Sequence, residues 1–331
     1  MPRTLIPPAR VTRLYQGILS CNRSLLAKAI TLTESTLATD RRKSEQLLKR
    51  LMPFTGQSIR IGISGVPGVG KSTFIEAFGE VLTRAGKKVG VLTVDPSSQK
   101  TKGSILGDKT RMERLSRNPQ VFIRPSPSSL ALGGVTYHTR EAILLCEAAG
   151  FDVILIETVG VGQSETHVRS MVDFFLLLML AGAGDELQGI KKGIMEMVDG
   201  VAINKAEGEN QKASQMAKAD VLNALHLQPT TLAGWPPRVL TISAREHIGI
   251  EGVWKMILEY QHHAVSGGYF EENRKLQNKQ WLEESVERYF RVFMNGPKAL
   301  RQKEQLLKKV MNQSLLPTEA GRLLWNELMK G

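Results

Sequence analysis

The chain has 331 residues, enough for one α/β domain and about another domain's worth of additional structure. Hydrophobic residues make up 42% and charged residues 23%, and this balance excludes a disordered or fibrous protein. The net charge of +12 is uneven, with a basic excess of +8 in residues 1–60, 0 in residues 61–270 and +4 in residues 271–331. Since the middle is neutral, we do not expect a nucleic-acid groove there, although a basic terminal surface can meet an acidic partner.

Cysteine usage and hydropathy predict a cytoplasmic protein. Cys21 and Cys146 lie far apart without a CxxC pair, which fits a reducing compartment and gives no disulfide framework. The first 20 residues are cationic but lack the apolar core of a secretory signal. The longest apolar run, 174–184, is about half of the roughly 20 residues that a membrane-crossing helix needs, so we expect no membrane span.

Three regions follow one another along the chain. Residues 1–55 repeat apolar positions at steps of three and four and predict a helical N-terminal extension. Residues 56–265 alternate strands and helices, which predicts an α/β domain with a mostly parallel sheet. Residues 266–331 predict amphipathic helices that pack on the core or form a dimerisation arm. The predicted strands are 61–64, 89–94, 153–156, 172–180, 201–204 and 239–243, and the predicted helices of the central region are 72–84, 140–149, 211–225 and 251–262.

A glycine-rich segment follows the first predicted strand and precedes a predicted helix. It fits the pattern GxxxxGK[ST], and this strand-turn-helix context makes the match strong. Glycines let the backbone close around phosphate oxygens, the helix start offers free amide groups, and Lys71 adds positive charge at the β- and γ-phosphates. Ser72 can then ligate Mg²⁺. The predicted nucleotide-binding residues are Gly65, Val66, Pro67, Gly68, Val69, Gly70, Lys71, Ser72 and Thr73.

Carboxylates end two of the predicted parallel strands, where α/β sheets gather ligands. Asp95 and Glu157 are predicted to coordinate Mg²⁺ or its water, or to orient the attacking water. The loop 103–112 resembles a switch loop and carries Asp108 as a further catalytic and metal-binding candidate. The glycine-rich segment 158–165 is predicted to contact the γ-phosphate through a backbone amide. Asp95 as a turn cap and Asp108 as a solvated loop carboxylate remain open alternatives.

Two further strand ends predict guanine recognition. Asn204, Lys205 and Glu207 stand where GTPases carry NKxD, a motif whose acidic side chain accepts two hydrogen bonds from the guanine edge. Glu207 is one methylene longer than the usual Asp, so the charge is kept while the geometry must adjust. A second segment resembles the loop that supports guanine through backbone amides, and its residues are Ser243, Ala244 and Arg245. Together the two signals favour GTP over ATP.

With these motifs, the chain is similar to the MeaB/ArgK family of metallochaperone-like P-loop GTPases. The segments that carry the resemblance cover most of the chain in family order: GVPGVGKST, VDPSS, GSILGDKTRM, FIRPSPSS, LGGV, ETVGVGQSE, AGAGDELQGIKKGIMEM and NKAE. The resemblance implies a P-loop NTPase fold of the SIMIBI type, GTP as substrate with Mg²⁺, and a homodimer. It also implies association with adenosylcobalamin-dependent methylmalonyl-CoA mutase, whose cofactor loading or protection the nucleotide state gates.

By residue, the resemblance supports the phosphate and metal roles given above to Lys71, Ser72, Asp95, Asp108 and Glu157, and it implies that Gly160 senses the γ-phosphate. Segment 182–192 resembles a further mobile loop that signals to the mutase, with Asp185 and Lys191 as candidates for the coupling.

Two other functions remain open at this point. The family has also been described as a kinase of periplasmic amino-acid-binding proteins, yet we find no catalytic loop for an acceptor hydroxyl. A nickel-insertion GTPase is expected to carry a Cys/His ligand group. Cys146 instead fits the core of an apolar helix, and His138, His167 and His247 are scattered along the chain.

Overall fold

Within the part of the chain that the computed structural model describes, seven strands form one sheet. The described residues are 9–94, 112–125, 132–158, 164–182, 192–227, 231 and 233–329. All neighbouring strands run parallel, in the order β3-β2-β4-β1-β5-β6-β7. The strands are β1 (Ile59–Gly65), β2 (Val89–Val94), β3 (Val121–Arg124), β4 (Val153–Thr158), β5 (Phe174–Leu180), β6 (Gly200–Asn204) and β7 (Arg238–Thr241). The predicted α/β fold with a parallel sheet is confirmed.

In the described part of the chain, α-helices precede, separate and follow these strands. They are α1 (Ala9–Leu19), α2 (Arg23–Thr33), α3 (Ala38–Leu51), α4 (Lys71–Arg84), α5 (Glu113–Arg117), α6 (Leu132–Ala148), α7 (Ser164–Arg169), α8 (Lys192–Met195), α9 (Asn210–His226), α10 (Ile250–Ser266), α11 (Tyr269–Met294), α12 (Pro297–Met311) and α13 (Pro317–Met329). One buried core joins α1–α3, α6, α7 and α9 to one face, and a second joins α4, α5 and α10 to the other. Successive strand residues alternate between the cores: Ile154 and Ile156 belong to the first, Val153 and Leu155 to the second.

The central strands are apolar almost throughout because helices cover both faces of a parallel sheet. In β5, for example, all seven residues are apolar and six are buried. β1 lies between β4 and β5, and its register sets Ile63 beside Glu157 on one side and Leu176 on the other. The end of β1 therefore lies beside the end of β4, which places the glycine-rich turn next to a carboxylate.

Some predicted boundaries differ from those observed. The prediction missed β3, a strand of four residues at the edge of the sheet. The strand predicted from residue 172 begins at Phe174, because Asp173 is held by side-chain hydrogen bonds just before it. The helix predicted at 140–149 is longer and begins at Leu132.

The chain divides into two compact units, Met1–Gln277 and Asn278–Gly331, with the division inside α11. The second unit has a small core of its own, formed by Ala299, Leu324 and Leu328. Its helices also expose large apolar side chains, among them Leu282, Val286, Tyr289, Phe293, Leu307 and Met311. Among the described residues, no helix is both long and apolar enough to cross a membrane.

Candidate nucleotide-binding site

The glycine-rich turn joins β1 to α4 and has a backbone that requires glycine. The φ angles of Gly65 and Gly70 are +151° and +97°, values that L side chains rarely adopt. A Cβ at Gly65 would lie 2.5 Å from the carbonyl oxygen of Leu178, and one at Gly70 would lie 2.7 Å from Nδ2 of Asn204. At Gly68, by contrast, none of the described residues lies within 4 Å of the Cβ position. The turn is thus packed against two strand ends and open at Gly68.

Lys71 begins α4 and its ammonium group lies against the inside of the turn. The residue is 9% exposed, and Nζ donates to the carbonyl oxygens of Gly65 at 2.7 Å and Val66 at 3.2 Å. Burial lowers the pKa of Lys71, whereas the nearby carboxylates of Glu157 and Glu165 oppose this shift. Hydrogen bonds from an ammonium to phosphate oxygens are stronger than those to neutral carbonyls. The group can therefore exchange one of its carbonyl partners for a phosphate.

Ser72 and Glu157 come together although 85 residues separate them. The Ser72 hydroxyl donates to Oε1 of Glu157 at 3.4 Å. Next to them, the buried Thr158 hydroxyl donates to Oγ of Ser64 at 3.0 Å and fixes the ends of β4 and β1 together. A hydroxyl and a carboxylate are hard oxygen donors of the kind that Mg²⁺ prefers. The pair fits the magnesium role predicted for both residues.

Asn204, at the end of β6, connects two loops of the site. It is 2% exposed; its Nδ2 donates to the carbonyl oxygen of Val69 at 2.8 Å, and its Oδ1 accepts from the amide of Ala244 at 3.0 Å. The Asn204 side chain therefore holds the glycine-rich turn and the loop after β7 at a fixed separation. The sequence predicted Asn204 at the base but not this bridging position.

The residues just after β6 include Glu207, one of whose carboxylate oxygens has no hydrogen-bond partner in the described part of the chain. Lys205 has a φ of +60°, and its exposed side chain donates from Nζ to the carbonyl oxygen of Gly68 at 3.0 Å. Glu207 is half-buried, and its buried Oε2 has no hydrogen-bond partner among the described residues. Buried acceptors are normally paired, so an unpaired one marks a position where ligand donors fit. This oxygen lies in the residue predicted to read guanine.

The loop after β7 is closed by an isolated antiparallel bridge. Ser243 and Ile248 exchange two backbone hydrogen bonds, each of 3.0 Å. The amide of Ala244, which the sequence assigns to the base, donates to Asn204 and so fixes the loop. Arg245 follows and is exposed.

Five sequence-predicted residues lie outside the described part of the chain. They are Asp95, Asp108, Gly160, Asp185 and Lys191. Their roles stay predictions. Thr73, the last residue of the predicted phosphate set, is exposed on the first turn of α4.

Sequence reasoning missed a second carboxylate near the glycine-rich turn. Glu165 on α7 is 1% exposed and acts electrostatically on Lys71. The sequence does place Glu165 near the site, because it is the last residue of the segment ETVGVGQSE, eight residues after Glu157. Nothing in the sequence pattern, however, indicated that its side chain turns inward.

The sequence predicts that Cys146 is a core residue and not part of a Cys/His metal site. Cys146 is fully buried in α6, as expected for a core residue, and burial raises the pKa of its thiol. In the described ranges, no group of three or more His, Cys, Asp or Glu side chains is placed to hold a metal ion.

A parallel sheet whose central strand ends in this turn is the fold of a P-loop NTPase. Similarity to known proteins shows which kind of P-loop NTPase this chain is. The chain is 49% identical over 277 residues to "GTPase ArgK" of Escherichia coli, covering 84% of this chain and 82% of that protein. It is 45% identical over 325 residues to "Methylmalonic aciduria type A homolog, mitochondrial" of Mus musculus, covering 95% of this chain and 78% of that protein. The chain is a P-loop GTPase.

The family can be named as well. The family model described as "Methylmalonyl Co-A mutase-associated GTPase MeaB" matches residues 26–295, so the chain belongs to the MeaB family. Among solved structures, "Crystal structure of LAO/AO transport system kinase" superposes with a TM-score of 0.76 and 38% identity, covering 99% of this chain and 100% of that chain. The predicted family is confirmed.

Proposed function

We propose that this GTPase associates with an adenosylcobalamin-dependent methylmalonyl-CoA mutase in the cytoplasm, and that its nucleotide state gates cofactor loading or protects the mutase from inactivation. Two findings support the mutase as partner. The family description names association with methylmalonyl-CoA mutase, and the Mus musculus relative is named after methylmalonic aciduria. The match extends from residue 26 to residue 295, so it includes helices on both sides of the sheet.

The unpaired Oε2 of Glu207 is the observation that carries the guanine assignment. Guanine presents N–H donors at N1 and N2, whereas adenine presents an acceptor at N1 and no group at C2 that donates. A buried carboxylate oxygen accepts from guanine and repels the adenine acceptor. Glu207 therefore selects the base by charge-assisted hydrogen bonds, and the Lys205 stem covers the ring.

The chain's own residues account for phosphate binding. The amides of the glycine-rich turn and of the first turn of α4 would face the phosphates, and Lys71 would add the positive charge. Ser72 and Glu157 would hold Mg²⁺, which neutralises charge on the β- and γ-phosphates. Glu157 or Glu165 would then orient the attacking water, since both carboxylates lie close enough to Lys71 to act on its charge.

We also propose a homodimer built by the C-terminal helices. Leu282, Val286, Tyr289 and Phe293 recur on α11 at steps of three and four, and all four are exposed. An exposed apolar stripe of this kind marks an interaction surface. Light scattering after size exclusion should give twice the mass of the 36.6 kDa chain, and a Val286→Glu, Phe293→Glu variant should give the single mass.

Base selectivity tests the guanine assignment directly. Glu207→Gln replaces one acceptor oxygen with an NH₂ donor at nearly constant volume. We expect GTP affinity to fall at least tenfold and affinity for xanthosine triphosphate, which carries an acceptor at C2, to rise. Titration calorimetry with GTP, ATP and xanthosine triphosphate measures this, and Glu209→Gln on the exposed surface nearby is the matched control. Equal binding of GTP and ATP by the unaltered protein would refute the assignment.

The partner is tested with purified methylmalonyl-CoA mutase from the same organism. Sedimentation with a nonhydrolysable GTP analogue, with GDP and without nucleotide should give different amounts of complex. Mutase activity followed over many turnovers should decay more slowly when the GTPase and GTP are present. A mutase that neither binds nor changes its decay rate would contradict the proposal. Phosphate should be released as free phosphate; its transfer to protein hydroxyls would instead favour the kinase alternative.

A further inference from the structure

Helix α7 follows directly on residues 159–163, the segment predicted to contact the γ-phosphate. The far end of this helix is held at several points. Val168 packs so closely on β1 that a Cβ at Gly62 would lie 3.0 Å from its Cγ1. Arg169 pairs with the buried Asp199 before β6 through hydrogen bonds of 2.8 and 3.3 Å. Any displacement of α7 must therefore move charged and tightly packed groups.

Arg140 connects the end of α7 to another helix. It lies on α6 and is 5% exposed. Its Nη2 donates at 2.7 Å to Oγ of Ser170, and that hydroxyl donates at 2.7 Å to the carbonyl oxygen of His167 in α7. Its Nη1 donates at 3.3 Å to the carbonyl oxygen of Gln277 in α11. One rigid, planar guanidinium thus bridges α7 and α11.

The first turns of α11 are attached to the connection between α7 and β5. Gln277 is 7% exposed, and its Nε2 donates at 2.7 Å to the carbonyl oxygen of Val172. One turn earlier, Arg274 donates to both carboxylate oxygens of Asp173 at 2.9 and 2.7 Å. The segment between α7 and β5 therefore contacts α11 at two positions, Arg274 and Gln277.

Gln277 also offers an alternative partner. In the part of the chain that the structure describes, its buried Oε1 has no hydrogen-bond partner, while its backbone oxygen accepts from Arg140. This oxygen is a second acceptor on the residue that Arg140 already contacts. A link with two arrangements is what a nucleotide-controlled switch requires.

We propose that Arg140 transmits the nucleotide state from α7 to α11. The proposal rests on the proposed function, since it requires that bound GTP changes the position of α7. The helix α11 itself continues past Gln277 to Met294. Arg140 lies away from the nucleotide and acts through Ser170 and Gln277, so it is a positioning residue.

Hydrogen exchange of the full-length protein tests this link. Amides of 269–294 are compared without nucleotide and with a nonhydrolysable GTP analogue and Mg²⁺. In the unaltered protein we expect a change of at least about fivefold, the lower end of typical coupling between sites. Arg140→Met keeps the apolar stem and should reduce the change below about twofold while GTP still binds. Arg140→Lys should do the same, because an ammonium cannot replace the planar bridge.

The controls separate this link from general damage. Arg60→Met also breaks a buried ion pair, that with Glu147, but touches neither Ser170 nor Gln277, so its exchange change should persist. If the Arg140 variants fail to fold, Ser170→Ala removes the same contact from the other side and should also reduce the exchange change. Absence of GTP binding in calorimetry would refute the proposed function itself. GTP binding without an exchange change in α11, or a change that persists in Arg140→Met, would overturn the link alone.

Discussion

Replacing Asn204 with alanine should loosen the nucleotide site without touching a phosphate. The substitution removes the donor to the Val69 carbonyl and the acceptor for the Ala244 amide, two bonds of 2.8 and 3.0 Å around a side chain that is 2% exposed. Each buried group left unpaired costs about 1–3 kcal/mol. Water that enters the vacated space can pair with these groups and offset part of the cost, so we expect the substitution to cost about 3 kcal/mol of free energy in all.

This free energy should appear mainly in ligand binding, because both loops contribute to the nucleotide site. Since 1.4 kcal/mol corresponds to tenfold in affinity, Asn204→Ala should raise the Kd for GTP about 100-fold. Calorimetry with Mg²⁺ measures the Kd, and urea unfolding measures any share that falls on stability. Asn210→Ala, the same change on the exposed start of α9, should leave both values within error. A Kd for Asn204→Ala within threefold of the unaltered protein would refute the bridging role.

Three further predictions follow from the same geometry. Lys71→Ala should weaken GTP binding at least tenfold in calorimetry and abolish phosphate release, because the substitution removes the buried ammonium that lies against the inside of the turn; unchanged binding would contradict its phosphate role. Gly70→Ala should reduce GTP affinity several-fold, since a Cβ there lies 2.7 Å from Asn204 Nδ2 at a φ of +97°; normal affinity would mean that the turn relaxes at little cost. Burial raises the pKa of Asp199 to about 6, so the folded state holds this proton more tightly than the unfolded chain, and its contribution to the free energy of unfolding should decrease as pH rises from about 4 to 6. Urea titrations across that range should show a flatter profile for Asp199→Asn, and an equally steep one would assign the dependence to other groups.

Much of the fold follows from local pattern. Parallel strands buried on both faces are continuous apolar runs, and Phe174–Leu180 is such a run. β3 escaped prediction because VFIR is short, lies at the edge of the sheet that the described strands form and is followed directly by Pro125. The start of β5 was misjudged because Val172 is apolar and buried while lying outside the ladder.

The site was predictable where one motif contains the chemistry and unpredictable where distant segments meet. Lys71, Ser72 and Asn204 follow from short patterns at strand ends. The contact of Asn204 with Val69 spans 135 residues, and the contact of Arg140 with Gln277 spans 137. No local periodicity encodes such pairs, so a single sequence does not reveal them.

The hydrogen bonds of Arg274 set a lower limit on the length of any shortened version of this protein. Its guanidinium, 14% exposed, neutralises the Asp173 carboxylate, which is 1% exposed, and also binds the backbone oxygens of Gly56 and Ser58. A fragment that ended after α10 would keep the buried carboxylate of Asp173 but lack Arg274, and such an unpaired buried charge costs about 3–5 kcal/mol. Expression or screening fragments should therefore extend through Gln277, even though the last strand ends at Thr241.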